Sequence, residues 1–260
     1  MAIITLTTDL GDKDFYQGAL KGSILKLLPS VNIVDITNNV APFNIQHAAF
    51  ALRNSFYYFP DGTVHLIGVD SVNNYDKRYL AIEHKNHYFL SADNGVFSLM
   101  FDEGPEKMVE INLVQDFKFL HFPLADIFVK AACHLARGGK LTEIGLPVDD
   151  FEKKMNLRPV VEKNKIKGAV VYVDLFQNVI TNITKSFFTE IQQGRAFRLI
   201  FKRNETIDQL SWHYNEVPEG EKLCLFGISD HLEIAINKGN ASGLLGLNPG
   251  DSLIIEFFDE

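Results

Sequence analysis

Carboxylates at the ends of strand-like runs are the first sign of chemistry in this chain. Ile3 to Thr7 is a short β-branched run, and Thr7-Thr8-Asp9-Leu10-Gly11-Asp12-Lys13-Asp14 closes it. Ligands of parallel α/β sheets collect at the carboxyl ends of strands, which is where Asp9 falls. Carboxylates this close together can hold a metal ion, or accept hydrogen bonds from hydroxyl and ammonium groups. Helix capping is the structural alternative, above all for Asp12. A second candidate ends the third strand: Asp70, followed by the polar loop Ser71-Val72-Asn73-Asn74-Tyr75-Asp76-Lys77-Arg78. An Asp and an Arg at opposite ends of such a loop can orient and polarise a water, or can form a plain surface ion pair. Asp93-Asn94-Gly95 after a strand reads as a turn.

Histidines and sequence motifs add little. His84 and His87 fall on a predicted hairpin tip without a carboxylate to complete a metal set, and both are expected in solvent. His65, inside a strand, reads as a packed core histidine. No His-Glu-x-x-His, Gly-x-Ser-x-Gly or Gly-x-x-x-x-Gly-Lys motif occurs, and no methyltransferase-type glycine-rich turn follows the first strand.

The elements that must position these residues alternate at first. Strands are expected at Ile3–Thr7, Ile33–Ile36 and Val64–Val69. Between them lie one helix around Leu20, Ile24, Leu27 and Leu28, and another from Ile45 to Phe59. That order implies a mainly parallel α/β sheet. Tyr79–Ile82 and His87–Leu90 form a predicted hairpin, and Ile127–Ala136 resumes helical spacing before Gly138-Gly139. Val148–Lys167 is charged, carries Pro159 and reads as an interdomain linker. Strand follows strand beyond it: Ala169–Asp174, Val179–Ile183, Phe197–Phe201, Leu223–Gly227, Leu232–Asn237 and Leu253–Phe258. The expected architecture is an α/β domain over 1–157 and a smaller all-β antiparallel barrel or sandwich over 158–260.

Composition narrows the function classes. Of 260 residues, 46% are hydrophobic and 22% charged, the balance of an ordinary folded protein. A net charge of -8 without Lys/Arg clusters is a poor footprint for nucleic acid. Two cysteines, Cys133 and Cys224, are too few for a disulfide framework and read as buried thiols. The N-terminus lacks a signal-peptide pattern and no stretch is apolar enough to span a bilayer, so a cytoplasmic location is expected.

The ordered motifs then form a resemblance. Thr8-Asp9-Leu10-Gly11 with Asp14, Lys21-Gly22, Ile33-Val34-Asp35-Ile36-Thr37, Phe59-Pro60-Asp61-Gly62-Thr63-Val64-His65, Val69-Asp70 and Asp93-Asn94-Gly95 are followed by Tyr172-Val173-Asp174-Leu175-Phe176-Gln177-Asn178-Val179-Ile180-Thr181-Asn182-Ile183 and Leu232-Glu233-Ile234-Ala235. Over nearly the whole chain this resembles the S-adenosylmethionine hydroxide adenosyltransferase family, related to fluorinase and chlorinase. The resemblance implies attack of water or hydroxide on ribose C5′ of S-adenosylmethionine, giving adenosine and methionine. It implies no metal and no cofactor beyond the substrate. Asp9 would take the ribose hydroxyls, Phe43 would line the cleft, and Asn178 would read adenine beside Phe176. Asp14 and Asp174 would face the methionine ammonium, with Ser229 near its carboxylate. Asp70 and Arg78 would hold the water with a histidine partner. It further implies a homotrimer with sites between chains, and neither nucleic-acid nor membrane partners.

Four departures stand out. The family's Pro-Gly-Val-Gly loop reads Ser71-Val72-Asn73-Asn74, and Gln177 replaces a usual Gly. The family's Phe-His-Gly-Arg-Asp reads Phe122-Pro123-Leu124-Ala125-Asp126, leaving His121 as the nearest imidazole. The small hydroxyl expected near Leu232 aligns with Ile228, one place from Ser229. Two other readings follow: a catalytically silent binder of S-adenosylmethionine or adenosine, and a calcium-dependent nucleoside hydrolase, whose Asp-rich opening the Asp9 segment loosely resembles.

Overall fold

In the computed structural model, which describes residues 2–72 and 78–258, the chain divides into two units, Met1–Met155 and Asn156–Glu260. The first unit runs β1 (Ile3–Thr8), α1 (Tyr16–Leu27), β2 (Asn32–Thr37), α2 (Ile45–Arg53), β3 (Val64–Gly68), β4 (Tyr79–His84), β5 (His87–Ala92), α3 (Val96–Met100), β6 (Lys107–Ile111), α4 (Ile127–Ala136) and β7 (Gly145–Pro147). The sheet order is β2-β1-β3-β5-β4-β6-β7. β1, β2, β3 and β5 are parallel neighbours, while β4, β6 and β7 continue antiparallel. The sheet is therefore mixed rather than mainly parallel. The reversal comes from the two-residue turn Lys85-Asn86, whose φ values of 49° and 61° suit a tight hairpin and not a crossover.

Every residue of β3 is buried, as a strand covered on both faces requires. One face packs Leu20 and Ile24 of α1 with Phe128 and Ala132 of α4. The other packs Ala48 and Leu52 of α2 with Phe97 and Met100 of α3. α2 stops at Arg53, short of the predicted Phe59. Asn54 Nδ2 and Ser55 Oγ donate back to the carbonyls of Phe50 and Ala51, and a separate 3₁₀ turn, Phe56–Tyr58, follows.

The expectation of solvated His84 and His87 is overturned: both are buried. β4 runs two residues further than alternation suggested, to His84, which pairs with His87 across the turn, so these rings lie inside the sheet. His87 Nδ1 lies 3.1 Å from His65 Nε2, and His65 Nδ1 lies 2.7 Å from Thr5 Oγ1. Phe89 stacks on His65 and Phe101 leans on His84. Burial, and secondarily His87, hold the His65 imidazole down at about 3.

The second unit contains β8 (Val160–Glu162), β9 (Lys165–Val173), β10 (Val179–Thr184), α5 (Lys185–Gln192), β11 (Ala196–Phe201), β12 (Glu205–Ile207), β13 (Lys222–Phe226), β14 (His231–Ile236), α6 (Ala241–Leu245) and β15 (Ser252–Phe258). The antiparallel order is β12-β11-β15-β9-β10-β14-β13, with β8 paired to β9. β9 pairs with β15 along its first half and with β10 along its second. A bridge between Leu210 and Cys224 brings the chain after β12 onto β13, so the sheet nearly closes on itself. Two expectations need correction. Part of the presumed linker is β8 and the start of β9, joined by a turn with Lys163 at φ 55°. The unit is also not all-β. Thr184 caps α5 through the Phe187 N–H, and Phe188 of that helix meets Phe197, Phe226 and Phe257 edge-on in the core.

Cys133 and Cys224 are free, buried thiols, one in each unit. Burial pushes both up, Cys224 to about 12. Among the described residues no helix is long and apolar enough to cross a membrane.

Candidate functional site

In the first unit the strand ends gather several of the named residues. Asp9 follows β1, and its carboxylate accepts the Phe43 N–H at 2.9 Å. Phe43 holds φ 62°, an unfavourable conformation for a bulky side chain, and is 73% exposed. The Asp9 turn is braced from β2: Thr8 Oγ1 donates to Asn38 Oδ1 at 2.7 Å, and Gly11, at φ 68°, donates its N–H to the Asn38 carbonyl. Asp14 is exposed in the turn before α1. α1 has no side-chain cap and no acidic residue in its first turn, so the capping alternative for Asp12 is not realised.

Asp70 follows β3 with φ 47°, a left-handed conformation that few non-glycine residues adopt. Gly68, two residues earlier, has no room for a Cβ because Leu124 packs against it. Loop residues 73–77 lie outside the described residues. Arg78, at the loop's far end, is gripped by carboxylates. Its Nε donates to Asp93 Oδ2 at 2.9 Å, and one Nη donates to the carbonyl and the Oδ1 of Asp150. The other Nη faces Glu110 at 3.9 Å. The Asp93 bond is the main reason the guanidinium is pushed up. His121 is exposed, while Pro123, at the family's histidine position, is buried and starts the 3₁₀ turn Pro123–Ala125.

The second unit carries a cavity of about 1240 Å3, walled by Phe176, Trp212 and Tyr214, with Asp174, Asn178 and Glu233 as polar lining. Phe176 and Trp212 are largely exposed there. The link between β9 and β10 is built by Asp174. Its two carboxylate oxygens accept the Asn178 N–H at 2.8 Å and Nδ2–H at 3.0 Å. Asp174 thus fixes how the buried Asn178 amide is presented. Gln177 takes φ 66° in this turn, a left-handed conformation that glycine adopts without strain. Ser229 lies just after the cavity residues Gly227 and Ile228, and its buried Oγ has no hydrogen-bond partner among the described residues. Ile228 itself is almost fully exposed.

Sequence reasoning assigned no role to Tyr214 or Glu233. The Tyr214 hydroxyl donates to Glu233 Oε2 at 2.8 Å, and the Glu233 carboxyl lies where a Cβ on Gly227 would sit. Burial, with the Asp174 charge adding to it, pushes Glu233 up against the opposing Tyr214 bond. Burial and the bond to Glu233 push Tyr214 up as well. Sequence offered no clear signal, because Glu233 alternates with Leu232 and Ile234, which enter the core, and so reads as an ordinary residue of the strand's other face. Aromatic walls with a fixed amide suit a planar base, and carboxylates suit a cation. Among the described residues, no three or more His, Cys, Asp or Glu side chains converge as a metal would require.

Comparison with known proteins agrees over both units. Residues 4–145 match the SAM hydroxide adenosyltransferase N-terminal domain and residues 168–254 the corresponding C-terminal domain. The chain is 29% identical to an (R)-S-adenosyl-L-methionine hydrolase of Methanocaldococcus jannaschii, covering 97% of this chain and 95% of that protein. A protein of the same name from Thermus thermophilus is 27% identical over 96% of this chain and 98% of its own length. A fluorinase of an Actinoplanes species is 23% identical over 71% and 69%. The crystal structure of an uncharacterized conserved protein from Thermotoga maritima superposes with a TM-score of 0.87 at 32% identity, covering 97% of this chain and 99% of that one. The chain belongs to the SAM hydroxide adenosyltransferase family.

Proposed function

We propose that the protein hydrolyses S-adenosylmethionine to adenosine and methionine. The observation that carries this reading is the likeness, along almost the full length of both chains, to proteins named (R)-S-adenosyl-L-methionine hydrolase. In the reaction a water-derived oxygen bonds to C5′ and the C5′–sulfur bond breaks. The electron pair passes to sulfur, leaving neutral methionine, and the water gives up a proton. The sulfonium is already a good leaving group, so the protein's task is alignment and exclusion of competing solvent. Asp9 takes the ribose hydroxyls and Phe43 covers the sugar. Asn178, held by Asp174, reads the adenine edge between Phe176 and Tyr214. Asp14 and Asp174 supply negative charge for the ammonium, and Ser229 a hydroxyl for the carboxylate. Asp70 holds the attacking water. Arg78 secures the far end of the same loop through Asp93 and Asp150, and His121 is the imidazole available to assist.

Incubating the purified protein with S-adenosylmethionine and chromatographing for adenosine and methionine tests the reading. Equal amounts of both products, unchanged by EDTA, support it. Tight binding without product over long incubation would replace hydrolysis by a silent binder, the reading that buried Pro123 at the family's histidine position favours. Release of free base from a nucleoside, abolished by EDTA, would point instead to a calcium-dependent nucleoside hydrolase. We also propose a homotrimer in which neighbouring chains complete each other's sites. Phe188, Phe197 and Phe257 are buried in the second unit's own core, so the support for assembly comes from the family and from exposed Phe43 and Phe176. Light scattering that gives a monomer with full ligand affinity would remove it.

A further inference from the structure

The turn after β5 enters the chemistry above only through Asp93, yet its next residue touches the Asp70 backbone. Asn94 is buried, and its Nδ2 donates to the carbonyls of Val69 at 3.0 Å and Asp70 at 3.4 Å. Its Oδ1 accepts the Val96 N–H at 3.2 Å. An N–H on one side and two carbonyls on the other leave the amide a single satisfied orientation. Asp70 needs such a hold, because an L-residue at φ 47° persists only where its surroundings over-determine it.

The turn is itself anchored. Asp93 Oδ2 takes Arg78 Nε and Asp93 Oδ1 takes the Glu152 N–H at 2.7 Å, while the Asp93 N–H returns to the Arg78 carbonyl. Gly95 holds φ 93°, and the Lys154 stem fills the space its Cβ would need. The Lys154 N–H donates to Ser98 Oγ at 2.8 Å. Asn94 is thus the one side chain of a rigid turn aimed at the two carbonyls that set the course of the chain at Asp70.

We infer that Asn94 is a positioning residue, which holds the Asp70 backbone in its left-handed conformation and thereby sets where the Asp70 carboxylate meets the attacking water. This inference rests on the reading of Asp70 as the holder of that water. Asn94→Asp keeps the acceptor for Val96 and turns the donor into an oxygen facing two carbonyls. The kcat of adenosine formation should fall about a hundredfold, the cost of misplacing a reacting group by about 1 Å, with KM nearly constant. Relative to the wild type at the same pH, activity should recover on acidification, because the introduced carboxyl then regains a proton to donate. Combined with Asp70→Ala, Asn94→Asp should cost nothing further, since residues acting as one unit are not additive. A crystal structure of Asn94→Asp should show Asp70 out of the left-handed region. Should that variant fail to fold, Asn94→Ser removes the amide without adding charge and is measured in the same ways. Wild-type kcat, a fully additive double variant, or Asp70 unmoved in the crystal would each overturn the inference. A wild-type protein that forms no adenosine, with Asp70 displaced in the variant crystal, would remove the hydrolase reading and leave the positioning role standing.

Discussion

The two units hold their candidate ligand residues in opposite ways. In the second unit the polar groups are committed to one another before any ligand arrives: Asp174 to Asn178, and Tyr214 to Glu233. In the first unit Phe43, just before α2, and Asp70, just past β3, stand on left-handed backbone, held by neighbours rather than by partners of their own kind. Mutual hydrogen bonding makes a pocket whose shape survives without its ligand. Local strain makes a site that depends on the rigidity beneath it, here the buried strand β3. Recognition and reaction can then fail separately, which mutation can read.

The widest gap is expected between Asp70 and Asp9. Asp70→Ala should lower kcat on the order of a hundredfold with ligand affinity almost unchanged, since one preorganised group near the nucleophile is worth about that much. Full turnover in this variant would sink the assigned mechanism. Asp9→Ala should act on binding instead, weakening it roughly ten- to a hundredfold through lost charge-assisted bonds to the ribose. Titration calorimetry separates the two. Asn178→Ala belongs with Asp9, at roughly tenfold in affinity, because an amide that Asp174 already orients loses one set of base contacts. A kcat effect from Asn178→Ala would blur the division between the units.

Acid should drive the units apart. His65 is held at about 3 in the folded state against an ordinary 6.5, by burial first and His87 second. The unfolded chain therefore binds the extra proton, and the first unit loses stability as pH falls below 6.5, at roughly 1.4 kcal/mol per pH unit, until the folded value is reached. Glu233 has the reverse sign. Its folded value is raised above 4.5, so the second unit gains from acidification through that raised value and levels off below 4.5. Hydrogen exchange followed by residue between about pH 7 and about pH 5.5 should show faster opening in the first unit alone. Parallel changes in both units would contradict this assignment. The smallest effect is expected at His121. It is exposed, so His121→Ala should leave kcat within about twofold unless it assists the water, in which case it would match Asp70→Ala.

Much of this was legible in the sequence wherever one physical signal dominated. Ile127–Ala136 kept its bounds because its apolar spacing is long and ends at Gly138-Gly139. Asp9 and Asp70 were singled out because ligands collect at strand ends, and both do lie just past strands, β1 and β3. What stayed hidden depended on partners distant in the chain. The hairpin of β4 and β5 was readable, but that β6 and β7 continue the sheet antiparallel from β4 depends on pairings that no local signal marks. α5 escaped because eight residues in a run of strands give little period to count, and its existence depends on Phe188 entering a core made by β11 and β15. Tyr214 and Glu233 are 19 residues apart, and their meeting depends on the near-closure of the sheet. Asn94 looked like a turn residue and is one. Its aim at Asp70 exists only once β3 and β5 lie side by side.

The placement of the two cysteines has a practical consequence. Each unit holds a single thiol sealed in its own core, so neither can react until that unit opens. Pulse alkylation followed by peptide mass spectrometry therefore supplies two independent clocks in the native chain. Cys133 times the opening of the α/β layer and Cys224 that of the β layer, with no label or engineered probe. A ligand gripping only one unit would slow one clock. A ligand gripping both would slow the two together, and the ratio of the two rates would report how its binding energy is divided.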